Sequence, residues 1–299
     1  MIAGIFLGLA AAFLQSCSYI LSRMYISKHE HSRYLSVYSQ VLMGIIGAVL
    51  LGAVLPFARC PDNWMFAVYA VLWASSYIVA QGCFLAAIKL VEASRLSSLL
   101  GAKIIVLAFL AVSFYGRDLG AVRWISVALC AVSAFGMNFS GGGLPVKSII
   151  YMSVTVCMFA VGDICCAQVL FLMPESNSMF INSLGATAVC YLILGLITLP
   201  ALFFTPCRLS LCKDALPYSI VWFSSIVFLL GAIGKTGVVY ASIIQSGRGV
   251  ISVLLGVLLA RLGFSHLESK ESRTVWIRRG IMALLMMLSI ILYIAGNGS

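Results

Sequence analysis

Charged residues are scarce in this chain. Only 9% of its 299 residues are Asp, Glu, Lys or Arg, whereas a soluble domain carries about 25%. Hydrophobic residues make up 62% of the sequence, and the mean hydropathy is +1.09. This composition excludes a soluble globular fold. Recurring runs of about 20 apolar residues predict membrane helices, and the short alternating segments of a transmembrane barrel are not seen.

Sequence motifs for catalysis and metal binding are also missing. The chain has no zinc-type CxxC pair, no phosphate-binding loop, no HExxH and no nucleophile constellation. Most of its 10 cysteines fall inside apolar runs, where Cys is a small packing residue. We therefore expect no enzyme activity, no cofactor and no metal. The net charge of +10 is attributed to cations that flank membrane helices, so nucleic acid is not an expected partner.

The apolar runs predict ten membrane-spanning helices. They cover residues 2–26, 34–57, 64–89, 93–115, 119–140, 147–173, 179–204, 217–240, 241–264 and 274–296. The first run has no Lys or Arg before it, so we interpret it as an uncut helix and not as a signal peptide. The prediction is an integral multi-pass protein of the cell (inner) membrane, in contact with the lipid bilayer and of undetermined oligomeric state.

Two stretches of the sequence match at a separation of 148 residues. ASRLSSLLGAKIIVLAF begins at Ala93, and ASIIQSGRGVISVLLGV begins at Ala241. Small residues of the first helix in each half align in the same register: Ala12 with Ala160, and Cys17 with Cys165. We predict an all-α membrane protein made of two five-helix repeats, residues 1–140 and 147–299. Residues 141–146, which begin with three glycines, form the linker.

The odd number of spans in each repeat has a topological consequence. The second repeat must enter the membrane from the opposite face, which makes an inverted-topology repeat of the kind found in secondary transporters. Most of the 19 Lys and Arg residues fall in the loops after the odd-numbered spans. By the positive-inside rule, this distribution places both termini outside the cytoplasm.

Several sequence features together resemble a known transporter family. The features are ten helices arranged as five plus five, a first helix with AAFLQSCSYILSR, and an AS pair opening the fourth and ninth helices. In these features the chain resembles the EamA-like branch of the drug/metabolite transporter superfamily. The resemblance implies transport of a small metabolite, no enzymatic chemistry, and both termini inside the cell. The last expectation conflicts with the charge distribution.

Four charged residues fall within the predicted membrane spans: Lys103, Asp163, Lys235 and Arg248. Such a charge costs about 2.5–3.5 kcal/mol at a helix centre on insertion scales, so it usually faces a bundle interior or a wet cavity. We predict that Lys103 and Arg248 bind substrate and that Lys235 assists, with snorkelling from a helix end as the alternative. Asp163 lies in the same half of the membrane as Lys235 and Arg248. It either forms an ion pair that balances charge or carries a coupling proton.

Uncharged residues are the remaining candidates for the cavity lining: Trp73, Tyr77, Ser98 and Gln245. For the aromatic residues the alternative is contact with lipid or neighbouring helices. For Ser98 the alternative is close helix packing, and we interpret the small residues Ser242 and Ser246 in the same way. The three cations exceed the one acid, which favours a small polar substrate, anionic or zwitterionic, moved by alternating access. The alternative function is a lipid-linked flippase or an accessory membrane subunit without its own solute cycle.

Overall fold

The computed structural model describes residues 2–54, 56, 61, 63–91, 96, 99–116, 120–138, 144–206, 208–261 and 273–296. Throughout this part of the chain the secondary structure is helical, without strands. Helices suit an apolar chain because every backbone N–H and C=O can be paired within the segment. The linker glycines at 141–143, and Ser98, lie outside the described residues.

The helices of the first half, in chain order, are α1 (Ile2–His29), α2 (Ser32–Val54), α3 (Met65–Ile88), α4 (Lys103–Tyr115) and α5 (Gly120–Asn138). Those of the second half are α6 (Val146–Phe171), α7 (Met179–Thr198), α8 (Leu209–Thr236), α9 (Val238–Ser246), α10 (Arg248–Arg261) and α11 (Arg273–Ala295). Short 3₁₀ helices occupy Leu100–Ala102 and Leu199–Phe204.

Six helices in the described part of the chain are long and apolar enough to cross a membrane. They are α1, α2, α3, α6, α7 extended by its 3₁₀ turn, and α8. Shorter apolar helices cover Gly120–Ser133 and Gly280–Tyr293. Large apolar side chains such as Phe6 and Leu284 are exposed on the outside of the bundle, as expected for a surface that contacts lipid tails. The protein is thus an integral, multi-pass helical membrane protein.

The eighth predicted span has different bounds in the structure. It was predicted to begin at Pro217, but α8 begins at Leu209 and continues through this proline. Proline is tolerated inside membrane helices because neighbouring groups satisfy the carbonyl that loses its partner. The helix then ends early, at Thr236, because Gly237 has φ +85° and ψ 160°. Only glycine adopts this conformation readily.

The ninth predicted span is not one helix. The chain from 241 to 264 was predicted to be continuous, but a turn at Gly247 separates α9 from α10. The amide of Gly247 donates to the carbonyl of Ile244 at 3.0 Å, three residues back, which tightens the turn. In the fourth predicted span, the 3₁₀ helix Leu100–Ala102 likewise comes immediately before α4. Lys103 and Arg248 are therefore each the first residue of a helix.

The most extensive helix contacts connect the two halves of the chain. Helix α1 packs on α8, α3 packs on α6, α2 packs on α7, and α5 packs on α11. The first helix of each half thus contacts the third helix of the other half. Between these pairs lies a buried core that combines aromatic residues, such as Tyr19 and Tyr191, with many small residues.

Glycines allow α2 and α7 to approach closely. A Cβ atom built on Gly44 would lie 2.7 Å from the Cα of Gly195, and one built on Gly195 would lie 2.7 Å from the Cα of Gly44. One turn further along α2, a Cβ on Gly47 would lie 2.6 Å from the carbonyl oxygen of Ala188. Small residues at such crossings let helix backbones pack in the absence of a hydrophobic driving force.

Candidate functional site

A cavity lies between the two halves of the chain. Helices α1, α3 and α4 of the first half line it, together with α6, α8, α9 and α10 of the second. Its polar lining residues are Gln15, Lys103, Asp163, Gln245 and Arg248. The volume that the centre of a water-sized sphere can reach inside it is about 30 Å³, which is room for about two waters, so a larger ligand enters only if the walls move apart.

Lys103 enters the cavity at the first residue of α4, directly after the 3₁₀ helix. Its side chain is buried, and the ammonium group forms an ion pair with the carboxylate of Asp163 on α6. The same ammonium donates to Oε1 of Gln245 on α9 at 3.0 Å. Ser242 Oγ also donates to Asp163 Oδ2, at 3.3 Å. The buried cation is thus compensated within the protein, by a carboxylate from the other half.

Arg248 enters the cavity at the first residue of α10, beyond the turn at Gly247. Its Nη1 donates to Oε1 of Gln15 at 2.8 Å, and its Nη2 donates to the carbonyl oxygen of Leu100 at 3.3 Å. The side chain is only 4% exposed. Among the described residues, no acceptor hydrogen-bonds Nε, and no carboxylate forms an ion pair with this guanidinium.

Two amide side chains connect the cations. Gln245 Nε2 donates to Gln15 Oε1 at 2.9 Å, while Gln245 Oε1 accepts from Lys103. A continuous hydrogen-bonded network therefore runs from Asp163 through Lys103, Gln245 and Gln15 to Arg248. Because networks of this kind fix the positions of their members, the two cations are held in a defined arrangement.

Aromatic rings form another wall of the cavity. Trp73 stacks on Tyr77 with ring centroids 5.1 Å apart, and Phe159 stacks on Trp222 at 6.3 Å. Trp222 is fixed by a hydrogen bond from its Nε1 to the hydroxyl of Tyr191, at 2.8 Å. The site thus offers flat apolar surfaces next to buried charges, a combination suited to a small molecule with one apolar and one ionic part.

The structure brings six of the eight predicted site residues to this cavity: Lys103, Asp163, Arg248, Gln245, Trp73 and Tyr77. Lys235 does not line it. The side chain of Lys235 is exposed in the last turn of α8, because the helix ends at Thr236 and not at residue 240. Ser98 lies outside the described residues. Asp163 forms its ion pair with Lys103, and not with Lys235 or Arg248. Ser242, expected to serve only helix packing, contacts Asp163.

Three polar or aromatic lining residues were not predicted: Gln15, Phe159 and Trp222. A sequence signal was present for two of them. The pattern Y-x-x-x-W-x-S-S occurs at residues 69–76 and again at 218–225, so Trp222 is the counterpart of Trp73. Gln15 lies 148 residues before Asp163, in the register in which the first helices of the two halves align. We find no comparable signal for Phe159.

Comparison with known proteins agrees with this architecture. Residues 2–139 match the family model described as "EamA-like transporter family". A solved structure described as "Crystal structure of protein" shares the fold, with a TM-score of 0.66 and 13% sequence identity, over 97% of this chain and 95% of that one. No curated protein matches the chain in sequence.

Proposed function

Because residues 2–139 match the EamA-like transporter family, we propose that the chain belongs to the drug/metabolite transporter superfamily and is a secondary transporter. In this proposal it moves a small polar metabolite, anionic or zwitterionic, across the cell (inner) membrane by alternating access. The family indicates a membrane transporter, and the cavity supports the choice of substrate. The observation that carries the proposal is a pair of buried cations, Lys103 and Arg248, in one cavity between the halves.

The alternating-access mechanism requires two halves that can rock against each other around a central site. We assign these halves to residues 1–140 and 147–299, joined by residues 141–146. The reciprocal packing of α1 on α8 and of α6 on α3 supports a two-fold relation between them. So does the exchange of polar partners: Lys103 pairs with the first helix of the second half, and Arg248 with the first helix of the first half.

Each charged residue has a separate role in this proposal. Arg248 and Lys103 attract the substrate anion into a site that hydrocarbon surrounds. Asp163 balances the charge of Lys103 while the site is empty, or carries a coupling proton. If uptake by the Asp163→Asn variant no longer depends on an inward proton gradient, the proton-carrying role is favoured. Lys235 has no role here because its side chain lies outside the cavity.

The experiment is uptake into proteoliposomes, screened with labelled carboxylates, amino acids and phosphorylated metabolites. We expect Lys103→Gln and Arg248→Gln to abolish uptake of the transported compound. Lys235→Gln is the matched control, since it removes an equal charge from an exposed position. Full activity in both cavity variants would contradict the assignment of the site. Absence of flux together with a stably co-purifying partner protein would contradict transport and favour an accessory subunit.

A further inference from the structure

We propose that the substrate is a monoanion, and that Gln15 sets this preference by leaving Arg248 without a carboxylate partner among the described residues. This inference rests on the proposed transport function and narrows it from anionic or zwitterionic compounds to a single charge class. It depends on the charge balance of the cavity, on the positions of Gln15 and Asp163 in the two halves, and on the hydrogen bonds of Arg248.

The charges of the described residues that line the cavity do not cancel. Lys103, Arg248 and Asp163 are the charged groups among the described residues that line the cavity, so their sum is one positive charge. Lys103 and Asp163 neutralise each other in a close pair. The guanidinium of Arg248 is buried with amide and carbonyl oxygens as its acceptors. An uncompensated buried charge is costly, so an incoming anion at Arg248 gains more than one at Lys103.

The first helices of the two halves carry different polar groups at corresponding positions. Gln15 and Asp163 are 148 residues apart, in the register of Ala12 with Ala160 and Cys17 with Cys165. Asp163 gives a carboxylate to the cation of the opposite half, whereas Gln15 gives an amide oxygen. A carboxylate at residue 15 would have completed the charge balance internally. The amide holds the guanidinium in position and leaves its charge for a ligand.

The hydrogen bonds of Arg248 leave one of its donors free for a ligand, as far as the described residues show. Its Nη1 and Nη2 each donate to a protein oxygen, while the buried Nε has no acceptor among the described residues. A guanidinium presents Nε and an adjacent Nη as a fork that matches the two oxygens of a carboxylate. Because Nε is buried, the walls of the cavity must move apart before a ligand carboxylate reaches it, and the carboxylate then supplies both the charge and the acceptor that the described residues do not.

The charge balance also separates the ligand classes. A monoanion brings the cavity to neutrality. A zwitterion brings its own cation and leaves the net charge of the cavity at +1. A dianion changes that net charge to −1. The rings of Trp73, Tyr77, Phe159 and Trp222 suit an apolar body. They would also accept an ammonium group through cation–π contacts, so the experiment compares both ligand types directly.

The first test needs no ligand. In Gln15→Glu the new carboxylate neutralises Arg248, and we expect the melting temperature of the purified protein to rise by several degrees. Gln40→Glu is the matched control: Gln40 is equally buried and forms hydrogen bonds with Ser36 and Thr198, and in the described part of the chain none of its partners is a cation. At residue 40 the change from Gln to Glu buries a carboxylate that has no cation beside it among the described residues, so the melting temperature should fall. A fall of similar size in Gln15→Glu would overturn the inference.

The second test uses three probes that share one frame. Phenylacetate is a monoanion, phenylglycine adds an α-ammonium group, and phenylmalonate adds an α-carboxylate. We expect the wild-type protein to bind phenylacetate at least about tenfold more tightly than it binds phenylglycine or phenylmalonate. In Gln15→Glu the affinity for phenylacetate should fall by a similar factor, which corresponds to the loss of one charged hydrogen bond. The double variant Gln15→Glu/Asp163→Asn returns the net charge to one and should recover phenylacetate binding, now at Lys103.

The outcomes distinguish the two proposals. Preference of the wild-type protein for phenylglycine or phenylmalonate, or unchanged phenylacetate binding in Gln15→Glu, would overturn the monoanion inference and leave transport through this site standing. No recovery in the double variant, if that protein is folded, would also overturn it. Failure of the wild-type protein to bind any of the three probes would contradict the proposed anion site as well.

Discussion

The close approach of α2 and α7 predicts a large difference between two Gly→Ala variants of the same helix. A Cβ at Gly44 would lie 2.7 Å from the Cα of Gly195 and 3.2 Å from the carbonyl oxygen of Tyr191. Carbon atoms pack at about 3.5–4.0 Å, so the helices would have to separate by roughly 0.8 Å or more. Overpacking of this kind costs about 1–3 kcal/mol.

Gly52 provides the matched control, because it lies on α2 and a Cβ built there would meet no atom within 4 Å. Gly52→Ala should therefore stabilise the protein, by about 0.5–1 kcal/mol, since alanine is the better helix former. The free energy of unfolding, measured by titration with a denaturing detergent in mixed micelles, should fall for Gly44→Ala and rise for Gly52→Ala. Equal effects of the two substitutions would refute the close contact between α2 and α7.

Two further predictions concern the cavity. Asp163→Asn leaves Lys103 buried without its carboxylate and should lower the free energy of unfolding by about 3–5 kcal/mol. The double variant Lys103→Met/Asp163→Leu removes both charges and should recover most of that loss in the same unfolding assay. An equal loss of stability in both variants would contradict the ion pair. Trp222→Phe removes the hydrogen bond to Tyr191 and should cost about 1–3 kcal/mol, while Trp64→Phe, at an exposed position, should be neutral. Indistinguishable stabilities of the two tryptophan variants would argue against that bond.

The helices and the central charges were predictable from the sequence because both follow from the cost of polarity in a membrane. Apolar runs located α1, α2, α3, α6 and α7 to within a few residues. The same cost indicated that Lys103, Asp163 and Arg248 face a shared interior, and the structure places all three at one cavity.

The interruptions of the helices were not predictable in the same way. The sequence stays apolar through Gly237 and Gly247. Hydropathy therefore gives no sign that α8 ends just before Gly237 and that α9 ends just before Gly247. The predicted span therefore placed Lys235 inside the membrane, although its side chain is exposed in the last turn of α8. The choice of ion-pair partner for Asp163 depends on the relative positions of α4 and α6, which no local pattern specifies.

Uncharged site residues gave weaker signals. Gln15 costs far less in a membrane than a full charge, so hydropathy alone does not single it out. Its role becomes visible only when it is aligned with Asp163 across the two halves. Trp222 has the composition of an ordinary packing residue, and the repeated Y-x-x-x-W-x-S-S pattern is what connects it with Trp73.

We propose that buried cations from the two halves bind one solute in a cavity that opens to either side of the membrane. Counterflow in proteoliposomes tests it most directly: vesicles loaded with the unlabelled compound identified by the uptake screen are given a trace of labelled compound outside. We predict transient accumulation of label with the wild-type protein and with Lys235→Gln, and none with Arg248→Gln. Undiminished accumulation with Arg248→Gln, or none with the wild-type protein, would contradict the account.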